Sequence, residues 1–239
     1  MQKFMARVAA IALLGALGGT TLLAQSKETP KPEAEKPPAF KPEQQKSSGS
    51  VSIGGKVINY EAMAGTIVVH PKGWSDVPQS GDAEKSDKTP KGEASMFYVA
   101  YFKTGDAGPR PLTFLYNGGP GSSTVWLHMG AFGPRRVLTA DHTHTPAAPY
   151  SLVNNEYSLL DASDLVFVDA PGTGFSRIAG KDAEKAFYGV DEDAHAFGDF
   201  IAQFLGKYGR WNSPKYLLGE SYGTTRSGAL AYVLETKRD

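Results

Sequence analysis

Three short apolar stretches constrain the fold of this chain more than any other feature. Residues 112–116 (Leu-Thr-Phe-Leu-Tyr), 165–168 (Leu-Val-Phe-Val) and 216–218 (Tyr-Leu-Leu) each run apolar with little alternation and end in a glycine-bearing turn. A strand with one face in water alternates. A strand apolar on both faces needs cover on both sides, as in a parallel sheet. Between the second and third stretches, Ala194, Phe197, Phe200, Ile201, Phe204, Leu205 and Tyr208 recur at helical spacing. They predict a helix over residues 191–208, with Asp191, Glu192 and Asp193 in the first turn, where negative charge suits the helix dipole. A second helix is expected over residues 224–235, after the last stretch. Strand, helix, strand, helix reads as an α/β domain.

Ahead of this core the pattern is antiparallel in character. Residues 57–60 and 66–69 are short β-like runs set apart by a turn at Gly65, residues 73–92 form a polar, breaker-rich loop, and residues 94–102 read as another strand. Residues 26–50 are dominated by Lys, Glu, Pro, Gln and Ser, with Phe40 as the single large aromatic. Such a segment buries too little surface to offset its conformational entropy, so residues 25–50 are expected to be a disordered, solvated linker. Lys3 and Arg7 precede an apolar run over residues 8–24 that is interrupted by Gly15, Gly18 and Gly19. That is the pattern of a secretory signal peptide over residues 1–24, and it points to a secreted or periplasmic protein. Order is expected over residues 51–239.

Composition excludes several classes of function. The 25 basic and 25 acidic residues balance, so no electrostatic argument favours nucleic acid or an anionic membrane surface as a partner. The chain has no cysteine. Disulfides, zinc–thiolate sites and thiol catalysis are ruled out, no metal or cofactor is expected, and no later segment is apolar enough to cross a bilayer.

The chemistry gathers in the three glycine-rich turns. Residues 219–223 read Gly-Glu-Ser-Tyr-Gly, directly after a buried-type strand and before a helix, the context of a nucleophile elbow. The tight turn needs small residues two before and two after Ser221, which Gly219 and Gly223 supply. After the first stretch comes Asn117-Gly118-Gly119-Pro120-Gly121-Ser122-Ser123, a loop able to present backbone N–H groups at the carboxyl end of a strand, where ligands of open α/β sheets bind. It lacks the Lys-Ser/Thr of a phosphate-binding loop. After the second comes Asp169-Ala170-Pro171-Gly172-Thr173-Gly174-Phe175-Ser176, which lacks the third glycine of a dinucleotide fingerprint.

Taken together, in this order, the three loops resemble those of the serine carboxypeptidases, an α/β-hydrolase family, from about Val57 onward. The middle loop is one residue shorter than the common form. The resemblance implies a mostly parallel sheet preceded by antiparallel strands, and a peptidase that releases C-terminal residues through an acyl-enzyme. By the same resemblance, Ser221 is the nucleophile, the N–H groups of Gly119 and Tyr222 form the oxyanion hole, and Asn117, Gly118 and Glu220 bind the substrate's terminal carboxylate. Burial of Glu220 would raise its pKa, let it donate a hydrogen bond to that carboxylate, and give an acidic pH optimum. The family's partner glutamate, in a Glu-Leu-Gly-Pro segment, is replaced here by Ala131-Phe132-Gly133-Pro134, so Glu220 as an ordinary polar residue stays open as a reading.

A hydrolase of this fold orders its triad Ser, Asp, His. All five histidines (His70, His128, His142, His144 and His195) precede Ser221, and only 18 residues follow it. A sheet truncated after the elbow helix, inactive alone and with a hydrophobic edge, is therefore expected. Two readings compete with the peptidase: an esterase or acyltransferase on the same elbow, and a non-catalytic secreted binding protein on a degenerate hydrolase scaffold.

Overall fold

A computed structural model describes residues 40–74, 91–105, 110–145 and 147–236. The expected signal peptide, the linker as far as residue 39 and most of the 73–92 loop lie outside these residues. In chain order the strands are β1 (Gln44–Ile53), β2 (Lys56–Val69), β3 (Lys91–Lys103), β4 (Leu112–Tyr116), β5 (Arg135–Val137), β6 (Leu152–Asn154), β7 (Asp164–Val168), β8 (Arg177–Lys181) and β9 (Lys215–Gly219). The helices are α1 (Val125–Leu127, continued by a wider turn over His128–Phe132), α2 (Ala183–Phe187), α3 (Val190–Tyr208) and α4 (Tyr222–Thr236).

The main sheet runs β1-β2-β3-β7-β4-β9, with β8 pairing the start of β3. β1, β2, β3 and β7 pair antiparallel; β7, β4 and β9 are parallel. The three apolar stretches are thus the parallel strands, side by side, as expected. Their alternate residues enter two cores. Leu112, Phe114, Tyr116, Val166 and Val168 pack with Phe197, Phe200, Phe204 and Leu230 of α3 and α4. Leu115, Leu165 and Phe167 turn to the other face, onto Val51, Ile58, Leu127 and Leu160. Coverage on both sides is why the β4 and β7 runs do not alternate. β9, at the end of the described sheet, is not buried as its apolar run implied: Tyr216 is exposed and Leu217 and Leu218 are half-buried. At the amino end of β7, Asp164 accepts from Arg110 Nε (3.0 Å), Arg210 (2.8 Å) and the Lys103 backbone N–H (3.0 Å), pinning β3, β4 and the end of α3 together.

α3 occupies the expected span. Gly209 ends it in the left-handed conformation (φ 63°), and Arg210 N–H closes the turn on Leu205 O at 2.9 Å.

Two expectations are corrected. β1 begins at Gln44, so ordered chain reaches back into the segment expected to be a disordered linker up to residue 50. Its first five side chains are all exposed. The strand is held by its backbone ladder to β2, from Gln44↔Gly65 to Ile53↔Lys56, and a ladder does not need apolar side chains. Gly65 does not make a turn either: β2 runs through it without a break. A Cβ there would collide with the Glu43 carbonyl, so this glycine marks a close backbone approach inside a strand.

Candidate active site

The carboxyl ends of β4, β7 and β9 deliver the three glycine-rich loops to one end of the sheet. Ser221 stands between the last residue of β9 and the first of α4, exposed, with φ at 55°. A non-glycine residue in that left-handed region costs about 1–2 kcal/mol. The turn that imposes it is short: Gly223 N–H donates to Glu220 O at 2.8 Å and Thr224 N–H to Ser221 O at 2.9 Å. A side chain at Gly219 would run into the Gly223 carbonyl, and one at Gly223 would stand 3.0 Å from Tyr116 O. The small residues expected around Ser221 are required by geometry.

The loop after β4 lies against this elbow. Gly118 is buried, and a Cβ on it would sit 2.5 Å from Tyr222 N and 2.6 Å from Glu220 O, so only glycine allows that approach. Gly119 follows, exposed, with φ at 106°. Asn117 is 5% exposed and every polar atom on it is engaged. Its Nδ2 donates to Glu220 Oε2 (3.1 Å), its Oδ1 accepts from Leu127 N–H (3.2 Å), its N–H donates to Thr124 Oγ1 (3.3 Å), and its carbonyl accepts from Arg226 (2.8 Å). Asn117, Gly118, Gly119, Glu220, Ser221 and Tyr222, all singled out from sequence, are brought together. Glu220 differs in one respect. Its side chain is exposed, so these residues do not supply the burial on which an acidic optimum was expected.

Sequence reasoning missed two groups. Asp169, buried after β7, ties the middle loop to the first: Oδ1 accepts from Thr124 N–H (2.8 Å) and Ser123 Oγ (3.3 Å), while Oδ2 accepts from Phe175 N–H (3.0 Å). Gly174 is glycine because a Cβ there would strike that carboxylate. The second group is Arg226, 2% exposed, whose Nε donates to Asp193 Oδ2 at 2.7 Å. Burial pushes the Asp193 carboxyl up, against the pull of Arg226. The signal in the sequence was an arginine on the buried face of α4 and an aspartate in the first turn of α3. Both residues also wall a cavity of about 560 Å³ lined by Pro120, Ala170, Phe187 and Tyr222.

The histidines are placed as follows. His128 Nε2 is 2.7 Å from the Tyr101 hydroxyl, its ring lies 4.7 Å from that of Phe167, and burial holds it down to about 4. His142 and His144 are exposed in the segment between β5 and β6. His70 stacks on Trp74 at 3.6 Å. His195 is half-buried on α3. Among the described residues no cluster of His, Asp or Glu could hold a metal ion, and no helix is long and apolar enough to cross a membrane.

A three-stranded parallel core, an antiparallel flank before it and a strained serine between strand and helix define an α/β-hydrolase. The family model for serine carboxypeptidases matches residues 86–237, and the chain belongs to that family. It is 33% identical over 135 residues to a carboxypeptidase Y homolog of Arthroderma benhamiae, a match covering 56% of this chain and 24% of the relative. It is 29% identical over 147 residues to the pheromone-processing carboxypeptidase KEX1 of Cryptococcus gattii, covering 61% and 20%. Among solved structures it is similar to a prohormone-processing carboxypeptidase of Saccharomyces cerevisiae, with a TM-score of 0.52 and 26% identity over 75% of this chain and 35% of that one. The chain thus matches about a quarter of the length of the first of these curated relatives and a fifth of the second.

Proposed function

We propose that this chain carries the nucleophile half of a serine carboxypeptidase that releases C-terminal residues from peptides, in a secreted or periplasmic setting. The observation that carries this reading is the left-handed Ser221 at the tip between β9 and α4, with the glycine loop pressed against the N–H of Tyr222. In the reaction, Ser221 Oγ attacks the last peptide carbonyl and its proton passes to a base outside residues 40–236. The C–N bond then breaks, the C-terminal residue leaves as the amine, and water hydrolyses the ester left on Ser221. The N–H groups of Gly119 and Tyr222 receive the negative oxygen of the tetrahedral intermediate. Asn117 and Glu220, joined at 3.1 Å beside Ser221, bind the terminal carboxylate, with the Gly118 backbone beside them. Blocked dipeptides incubated with the protein purified from its source test the reading: release of the free C-terminal amino acid, lost in Ser221→Ala, supports it, and no release contradicts it.

An esterase or acyltransferase is favoured by one observation. Ala131 stands where the family's second glutamate would stand, and Glu220 is exposed, so carboxylate recognition rests on a single hydrogen-bonded pair. Turnover of ester analogues with blocked dipeptides left intact would select that reading. Absence of any covalent labelling of Ser221 would select a binding scaffold.

A further inference from the structure

The two backbone donors assigned to the oxyanion belong to different elements: Gly119 to the loop after β4, Tyr222 to the first turn of α4. Their spacing depends on what holds that loop to that helix. Backbone contacts contribute, through Gly118 against Tyr222 N and through Glu220 N–H on Tyr116 O at 3.2 Å. A side chain makes a further link. Arg226 lies one helical turn beyond Tyr222 on the same face of α4, and it donates to the carbonyl of Asn117 at 2.8 Å, the peptide that leads directly into Gly118 and Gly119.

The guanidinium is fixed from several sides. Asp193 of α3 takes its Nε at 2.7 Å, and the rings of Phe197, Tyr116 and Tyr222 lie 4.6, 5.3 and 5.4 Å from its central carbon. A buried ion pair is a poor source of stability, since apolar residues of similar volume generally serve as well or better. What an arginine adds is a rigid fork that holds two acceptors at once in fixed directions; a lysine cannot reproduce it. Here the two acceptors are a carboxylate on α3 and the carbonyl at the root of the glycine loop.

We propose that Arg226, oriented by Asp193, is a positioning residue that fixes the Asn117–Gly118 peptide against α4 and so sets the spacing of the Gly119 and Tyr222 N–H groups around the oxyanion. The inference rests on the acyl-transfer reading of Ser221.

The test compares the protein purified from its source with its Arg226→Ala, Arg226→Lys and Asp193→Asn variants, each normalised by active-site titration. It measures kcat and KM, and inhibition by a peptide aldehyde, which forms an oxyanion-like adduct on serine, and by the uncleaved D-residue peptide, which binds only as a ground state. In Arg226→Ala, kcat should fall about ten- to a hundredfold with KM nearly unchanged, the aldehyde should weaken by the same factor, and the D-peptide should bind as before. Ethylguanidinium, which can reach the vacated space through the adjoining cavity of about 560 Å³, should restore part of kcat. If Arg226→Ala does not fold, Arg226→Lys carries the same comparison, because it keeps the charge beside Asp193 and loses the fork. Unchanged kcat per titrated site with only a lower Tm, or equal weakening of both inhibitors, overturns the inference. A wild-type protein without turnover overturns the hydrolase reading and this inference with it.

Discussion

Asn117 and Glu220, 103 residues apart in sequence, meet at 3.1 Å beside Ser221, and the meeting depends on a glycine. Gly118 lets the loop after β4 come within reach of the elbow, so the amide of one loop orients the carboxylate of the other. Asn117 is itself held at all four of its polar atoms, which makes it a fixed partner for an exposed carboxylate.

If this pair receives a terminal carboxylate, its loss should discriminate between substrates. Asn117→Ala and Glu220→Gln should each lower kcat/KM about ten- to a hundredfold on peptides with a free C-terminus, and much less on the same peptides with an amidated C-terminus. Equal losses on both series would show that the pair supports the elbow without touching the carboxylate.

Gly118→Ala places a methyl 2.5 Å from Tyr222 N, where only backbone can yield. The variant should lose about 1–3 kcal/mol of stability in urea unfolding, and activity should fall further than that loss explains, because the loop and α4 are pushed apart. A variant of wild-type stability and activity would show that the approach is looser than described.

Ser221→Gly removes the side chain from a left-handed residue. Relief of that conformation offsets the greater flexibility of unfolded glycine, so stability in urea unfolding should hold or rise, by up to about 1 kcal/mol, while activity vanishes. A clear loss of stability would mean that the serine side chain makes contacts that support the fold.

His128 gives a pH dependence of stability with a definite sign. Its folded-state pKa is held down to about 4 by burial, below the value of roughly 6.5 in an unfolded chain. Between those values the unfolded state binds a proton that the folded state does not. Stability should therefore decline as pH falls from about 6.5 toward 4, by at most about 1.4 kcal/mol per pH unit from this group. His128→Gln should flatten the urea-unfolding profile in that window; an unchanged slope would assign the decline to other groups.

Much of the core and of the elbow was legible because both rest on local rules. Runs apolar on both faces announce β4 and β7, which are covered on both sides, helical spacing announces α3, and a serine between two glycines after an apolar run announces the turn, although the run before it, β9, is only half-buried. What escaped rests on long-range backbone contact or on pairing. β1 has polar side chains and exists through its ladder to β2, so composition marked part of it as linker. Gly65 reads as a breaker until the Glu43 carbonyl is seen against it. Arg226 and Asp193 are 33 residues apart, and neither position says alone that the other lies 2.7 Å away. Burial of Glu220 was inferred from the chemistry it should perform, and the described residues leave it exposed.

The central claim is that Ser221 forms the acyl-enzyme, and peptide mapping by mass spectrometry after reaction with an organophosphorus probe tests it most directly. One adduct is expected, on the peptide containing Ser221, appearing in step with the loss of release of C-terminal residues. An unmodified Ser221 in protein that still releases those residues would contradict it.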